Sequence, residues 1–283
     1  MTMGKQNTAT GERTAAADRV IAVRCHELAP VIGDLAANVA LIDAAIADAM
    51  ACGVRLLVLP ELATSGYHLT PAEAAACALT PDADPFVRWA ALMNPEAVLV
   101  LGFAEADGDR VFNSAAVVTR DGVQAVHRKT HLWDTEKEVF VPGDRPPPVV
   151  ATPVGPLGVL ICYELEFPEL PRGLALRGAE VIAVPTNWPL LDRPPGEHAP
   201  EVVQAMAAAR ASGVAIACCD RRGDERGTRW TEGTTVIGTD GWLIGQKDES
   251  GRLDVMLTIA ADRHRISARN HVLHDRRPEL YRW

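Results

Sequence analysis

The sequence predicts a single α/β domain in which a layered sheet core is covered by helices. Short, almost wholly apolar runs alternate with stretches of helical periodicity along all but the beginning of the 283 residues. The first strand, helix and strand fit within residues 19–60, and so short a return requires a crossover and parallel pairing or its close relative. No fixed-period repeat and no low-complexity linker divides the chain.

Composition narrows the partners. The chain is 48% hydrophobic and 23% charged, which is ordinary globular composition, and its net charge of −9 argues against a nucleic-acid groove or an anionic membrane surface. No apolar run approaches the roughly 18 residues of a membrane span, and no basic-then-apolar leader opens the sequence. A cytoplasmic protein is expected, with no nucleic acid or membrane among its partners. Six cysteines, at 25, 52, 77, 162, 218 and 219, form no C-x-x-C pair, and the histidines do not cluster. A disulfide framework or a structural zinc is therefore not expected, nor is any metal or cofactor.

Residues 1–18, rich in Thr, Gly and Ala, lack periodicity and read as a loose tail ahead of a domain spanning 19–283. Residues 19–24 form a first strand. Leu35, Val39, Ile42, Ile46 and Met50 recur at threes and fours, a helix with Asp34 as N-cap and Gly53 as its stop. Residues 55–60 are apolar enough for a strand covered on both faces. A helical stretch over 84–94 leads to a strand at 97–103, and a hairpin pairs 111–119 with 123–128 across Asp121-Gly122. A proline-rich loop, 142–148, precedes a strand over 157–161. A helix after Pro168, a strand at 180–185, a helix over 201–212 and a strand at 214–219 follow. Two short strands flank Asp240-Gly241, and 253–259 is the last clear strand. Cys218 and Cys219 fall on opposite faces of theirs, as packing residues.

The chemistry gathers at strand ends. Cys162 closes the strand over 157–161 just where a turn and a helix follow, a setting that presents a nucleophile beside backbone N–H groups able to receive an oxyanion. An isolated cysteine there could equally be a small core residue. Glu61 follows an apolar strand and a proline; a carboxylate in that position is paired or has its pKa raised, and either suits a general base. Lys129 and Glu136 lie seven positions apart after the hairpin, and each alone would be unremarkable. A third loop, Val184-Pro185-Thr186-Asn187-Trp188, also follows a strand. Sites in such sheets form beyond the carboxyl ends of strands, so these loops converge in this reading.

Taken together these residues resemble the nitrilase superfamily of carbon–nitrogen hydrolases. The match lies in Leu59-Pro60-Glu61 with Gly66-Tyr67, in Arg128-Lys129-Thr130-His131-Leu132 with Glu136 ahead of Phe140-Val-Pro-Gly143, and in Cys162-Tyr-Glu-Leu-Glu-Phe-Pro-Glu169. The closing segment 275–281 is also similar. Departures are Ser212-Gly213, where the family often has an asparagine, and the Arg24-Cys25-His26 region, where a glutamine is customary. The resemblance implies an αββα sandwich, pairing to αββααββα in a homodimer or larger homo-oligomer, and metal-free thiol chemistry on a small amide. It assigns Cys162 as nucleophile, Glu61 as general base and acid, Lys129 and the Tyr163 backbone N–H as oxyanion donors, and Glu136 as an orienting group. Lys129 and the turn are expected to lower the thiol pKa.

Tyr67, Trp133, Asn187 and Trp188 stand beside the motif residues as candidate substrate contacts; for the aromatics, core filling is an equal alternative. An amidase acting on short aliphatic amides is the expectation. A nitrilase or an N-carbamoyl amidohydrolase would use the same four residues, and a carbamoyl amino acid would need a cation such as Arg193. His127 and His131 lack a third partner for a metal. A thiol-bearing scaffold without turnover is the reading from another class.

Overall fold

The computed structural model describes residues 17–281; all of the expected tail through residue 16 lies outside them. In chain order the elements are β1 (Arg19–His26), α1 (Leu35–Ala51), β2 (Leu56–Val58), α2 (Pro71–Cys77), α3 (Asp84–Leu92), β3 (Val98–Asp107), β4 (Arg110–Thr119), β5 (Gly122–Arg128) and α4 (Glu136–Val139). After these come β6 (Val149–Thr152), β7 (Gly155–Val159), a 3₁₀ turn over Cys162–Glu166, α5 (Glu169–Leu176), β8 (Val181–Pro185), α6 (Pro200–Ser212) and β9 (Ala215–Cys219). The short β10 (Asp224–Glu225), β11 (Thr228–Arg229) and β12 (Thr235–Ile237) precede β13 (Arg252–Ile259).

Two large sheets result, one of six strands in the order β13-β1-β2-β3-β4-β5 and one of five in the order β12-β9-β8-β7-β6, beside a two-stranded ribbon of β10 and β11. The crossover read from the sequence is present: β1 pairs in parallel with β2, and β2 with β3. Strand alternation explains why both faces of the first sheet are apolar. Leu56, Val58, Val98 and Val100 turn inward to a core shared with Val159, Ile161, Ala183 and Ala217 of the second sheet. Leu57, Leu99, Leu101 and Phe103 turn outward, where Ile42 and Ile46 of α1 and Phe86 and Trp89 of α3 cover them. On the far side, Leu174 of α5 and Ala205 and Ala209 of α6 close the second sheet. The architecture is therefore helices, sheet, sheet, helices.

The N-cap expected at Asp34 is observed, its carboxylate accepting from Ala37 N at 3.0 Å. Some elements differ from expectation. The run 55–60 is a strand only at Leu56–Val58, because the chain bends away at Pro60 to place Glu61. Residues flanking Asp240-Gly241 form β12 and a single bridge from Ile237 to Leu243 rather than two strands. Helix α2, unread from the sequence, is set by a capping box between Thr70 and Glu73.

Candidate active site

Glu61 is fixed before its side chain is considered. Its amide donates to Thr186 O at 3.4 Å, and its carbonyl accepts from Asn187 Nδ2 at 2.9 Å. Behind it, a Cβ on Gly102 of β3 would stand 2.4 Å from the Glu61 Cα, so only glycine permits the approach. The Glu61 Oε1 accepts from Lys129 Nζ at 2.7 Å and from Asn113 Nδ2 at 2.8 Å, whereas its Oε2 is buried with no partner.

Lys129 follows β5, its backbone amide held by Asn113 O at 2.8 Å, and its side chain is wholly buried. A second bond, again 2.7 Å, runs from Nζ to Glu136 Oε1. Glu136 opens the one-turn α4 and also accepts from the Tyr67 hydroxyl at 2.6 Å and from Trp133 N at 3.1 Å. One ammonium is thus shared between two buried carboxyl groups.

Cys162 begins the 3₁₀ turn with φ of +48°, a left-handed backbone that a non-glycine residue adopts only when its surroundings enforce it. Glu164 is the enforcing group. Completely buried, it accepts from Ile161 N at 2.8 Å, from Thr130 N at 2.7 Å and from the Thr130 hydroxyl at 2.6 Å, and it meets His127 Nε2 at 2.8 Å. The turn carrying the thiol is thereby tied to the segment carrying Lys129. The Tyr163 N–H lies in the first turn, where an amide has no partner within the helix. The Cys162 sulfur lies 3.9 Å from Asn187 O. Asn187 thus touches both the thiol and the Glu61 carbonyl.

Burial governs the electrostatics. It pushes Glu61 up to about 7, against the attraction of Lys129 and with the Glu136 charge adding to the rise. For Lys129 burial works against the charge, but Glu136 and Glu61 outweigh it and hold its pKa above the ordinary value. The Cys162 thiol is raised well above its usual range, by burial first and by Glu61 second, although Lys129 and the Asn187 contact oppose them. Lys129 does lower the thiol pKa as expected, but the net direction is corrected: burial and the Glu61 charge outweigh it.

Cys162 opens onto a pocket of about 280 Å³ lined by Trp133, Tyr163, Asn187 and Trp188 among others. Three of the four expected substrate contacts are there. Tyr67 is not; it is 7% exposed, packs edge-on against Trp230 at 5.5 Å and spends its hydroxyl on Glu136. Arg193 is exposed on a loop and does not line this pocket either. His127 is bound to Glu164 and His131 stacks on Phe167 at 4.0 Å. Among the described residues no group of three or more His, Cys, Asp or Glu is placed to hold a metal ion. Sequence reasoning missed Asn113 and Asp220. Asp220, pushed up to about 7 by burial against three backbone donors, accepts from Trp188 N at 3.0 Å and so holds that ring at the pocket. Glu164 stood inside a quoted motif without a role.

A sandwich of two sheets with a buried thiol at one end of its seam, next to carboxylates sharing an ammonium, defines a hydrolase of non-peptide carbon–nitrogen bonds. The chain belongs to the carbon-nitrogen hydrolase family, whose family model matches residues 21–268. Over 269 residues it is 30% identical to a nitrilase of Pyrococcus abyssi, covering 93% of this chain and 99% of that protein. An (R)-stereoselective amidase of a Pseudomonas species is 38% identical over 164 residues, 56% of this chain and 57% of that one. Among solved structures, an amidase from Nesterenkonia sp. matches with a TM-score of 0.75 at 28% identity, covering 92% of this chain and 94% of that one. A variant of that amidase carries the acetamide moiety of fluoroacetamide added covalently at its active-site cysteine.

Proposed function

We propose that the protein is an amidase that converts short aliphatic amides to the acid and ammonia through a cysteine thioester. The observation that carries this reading is the bonded set of Glu61, Lys129 and Glu136 beside Cys162. An amide has a poor leaving group, so its hydrolysis needs one group that both takes and returns a proton; a carboxyl held near 7 serves both directions at neutral pH.

In this mechanism the Cys162 sulfur attacks the carbonyl carbon as its proton passes to the free Oε2 of Glu61. The carbonyl electron pair moves to oxygen, and the Lys129 ammonium and Tyr163 N–H receive the charge. Collapse breaks the carbon–nitrogen bond, and Glu61 returns the proton to departing ammonia. Water then attacks the thioester while Glu61 takes its proton, and the acid leaves as the thiol is restored. Glu136 keeps Lys129 in place throughout. Nitrile hydrolysis is the second reading, favoured by the name of the Pyrococcus relative; for a carbamoyl amino acid, no cation among the described residues lines the pocket to meet the carboxylate.

Ammonia release from propionamide, a carbamoyl amino acid and an aliphatic nitrile tests the proposal directly. Turnover of propionamide is expected, with an acyl adduct on Cys162 in quenched samples by mass spectrometry and activity at least a thousandfold lower in Cys162→Ala. Comparable activity in that variant would refute the thioester route.

A further inference from the structure

The walls of the Cys162 pocket carry chemistry that a plain aliphatic chain does not use. Trp133, Tyr163 and Trp188 share it with two carboxylates, Glu166 and Glu201. Glu201, in the first turn of α6, is half-buried, and its Oε2 is shut off from solvent without a hydrogen-bond partner. Asn187, 1% exposed, has its Oδ1 in the same condition. Glu166 stands at the exposed rim, its carboxyl pushed up by burial and then by Glu201. Among the described residues none lining the cavity is a lysine, arginine or histidine.

A buried acceptor without a donor is unfavourable, and the Glu201 charge raises the Glu166 carboxyl across the same cavity. Both penalties are relieved by one occupant that brings N–H donors and positive charge. Aromatic faces attract the same occupant through their negative centres. Favourable placement at a helix start accounts for a glutamate at 201 but not for its unpartnered oxygen. A carboxylate-bearing substrate meets the opposite situation, with repulsion on one wall and no cation on any.

Resting on the amidase reading above, we propose that the acyl part of the preferred substrate carries an ammonium group, seated between Glu201 and Glu166 against the pocket's aromatic faces. Short amino amides are then preferred over unsubstituted ones. Cys162 and Glu166 are four residues apart along a 3₁₀ turn, about 8 Å at roughly 2 Å per residue. A few methylenes between carbonyl and ammonium cover that separation.

The test compares kcat/KM for 4-aminobutanamide, its near-isosteric neutral partner pentanamide, and succinamate, which bears a carboxylate. The cationic amide is expected to exceed the neutral one by at least tenfold, with succinamate slowest. Glu201→Gln is expected to bring the cationic-to-neutral ratio down at least fivefold; because the readout is a ratio, a general loss of folding cancels. The Cys162→Ala protein gives the same comparison as dissociation constants by calorimetry, which separates binding from chemistry. Tighter binding of 4-aminobutanamide without turnover supports the ammonium site while refuting the amidase reading. A ratio at or below one, or a ratio that Glu201→Gln leaves unchanged, overturns the proposal.

Discussion

Replacing Lys129 with methionine removes the ammonium that Glu61 and Glu136 share while roughly preserving the volume of the side chain. Both carboxylates are at most 3% exposed, and both bonds to Nζ are 2.7 Å, so neither acid has water to fall back on. Breaking a buried ion pair from one side costs about 3–5 kcal/mol. A domain of this size loses about 2–4 °C of melting temperature per kcal/mol, which gives a fall of about 6–20 °C at pH 8. The loss also depends on pH in a defined sense. Glu61 is already pushed up to about 7 by burial; without the cation that opposes this it rises further above its value in the unfolded chain, so the folded state holds an extra proton between the two values. Stability then declines as pH rises, by up to about 1.4 kcal/mol per pH unit for each proton. Thermal melts of wild type and Lys129→Met at pH 5.5 and pH 8 read this directly, with the gap larger at pH 8. A gap under about 2 °C at pH 8, or one equal at both values, would refute the buried charge cluster.

The same geometry makes two further predictions. With Glu61 pushed up to about 7, kcat/KM should rise with pH through that value as the carboxylate form becomes available to take the thiol proton. Asn113→Leu removes a hydrogen bond that lowers the Glu61 pKa, so the midpoint of the rise should move to higher pH; an unmoved midpoint would count against Glu61 as the base. Glu164→Ala orphans buried donors at Ile161 and Thr130, each costing about 1–3 kcal/mol, and the melting temperature should drop by about 6 °C or more. Steady-state kinetics of that variant should show kcat falling by a larger factor than KM rises, because the turn holding the sulfur loosens; a change confined to KM would contradict the bracing role.

Glu61, Lys129, Glu136 and Cys162 were legible because each sits in a distinctive string at the end of a strand, where residue type and position jointly restrict the chemistry. The longer helices, α1, α3, α5 and α6, and most strands were legible from the sequence pattern, whereas the short α2 and α4 were not. What escaped depends on pairs far apart in the chain. Asn113 meets Glu61 across 52 positions and Asp220 meets Trp188 across 32, and no local pattern announces either contact. For Tyr67 the sequence left pocket and core as equal alternatives for the same reason: the choice follows partners such as Trp230, which the neighbouring residues do not specify. The direction of the thiol shift failed on burial. Proximity to a lysine suggests stabilisation of the thiolate, but the desolvation that outweighs it depends on how deeply the fold encloses the sulfur.

Glu61 and Lys129 are delivered by the six-stranded sheet, and Cys162 and Asn187 by the five-stranded one. The gap between Glu61 and the sulfur is therefore gauged by the thickness of the apolar layer that separates the sheets, much as the jaws of a caliper follow its screw. Val58, Val100, Ala183 and Ala217 do not line the Cys162 pocket, yet they fill that layer. Adding or deleting a methyl group among them reaches the reacting atoms by changing the spacing of two rigid bodies, without altering any residue in the pocket.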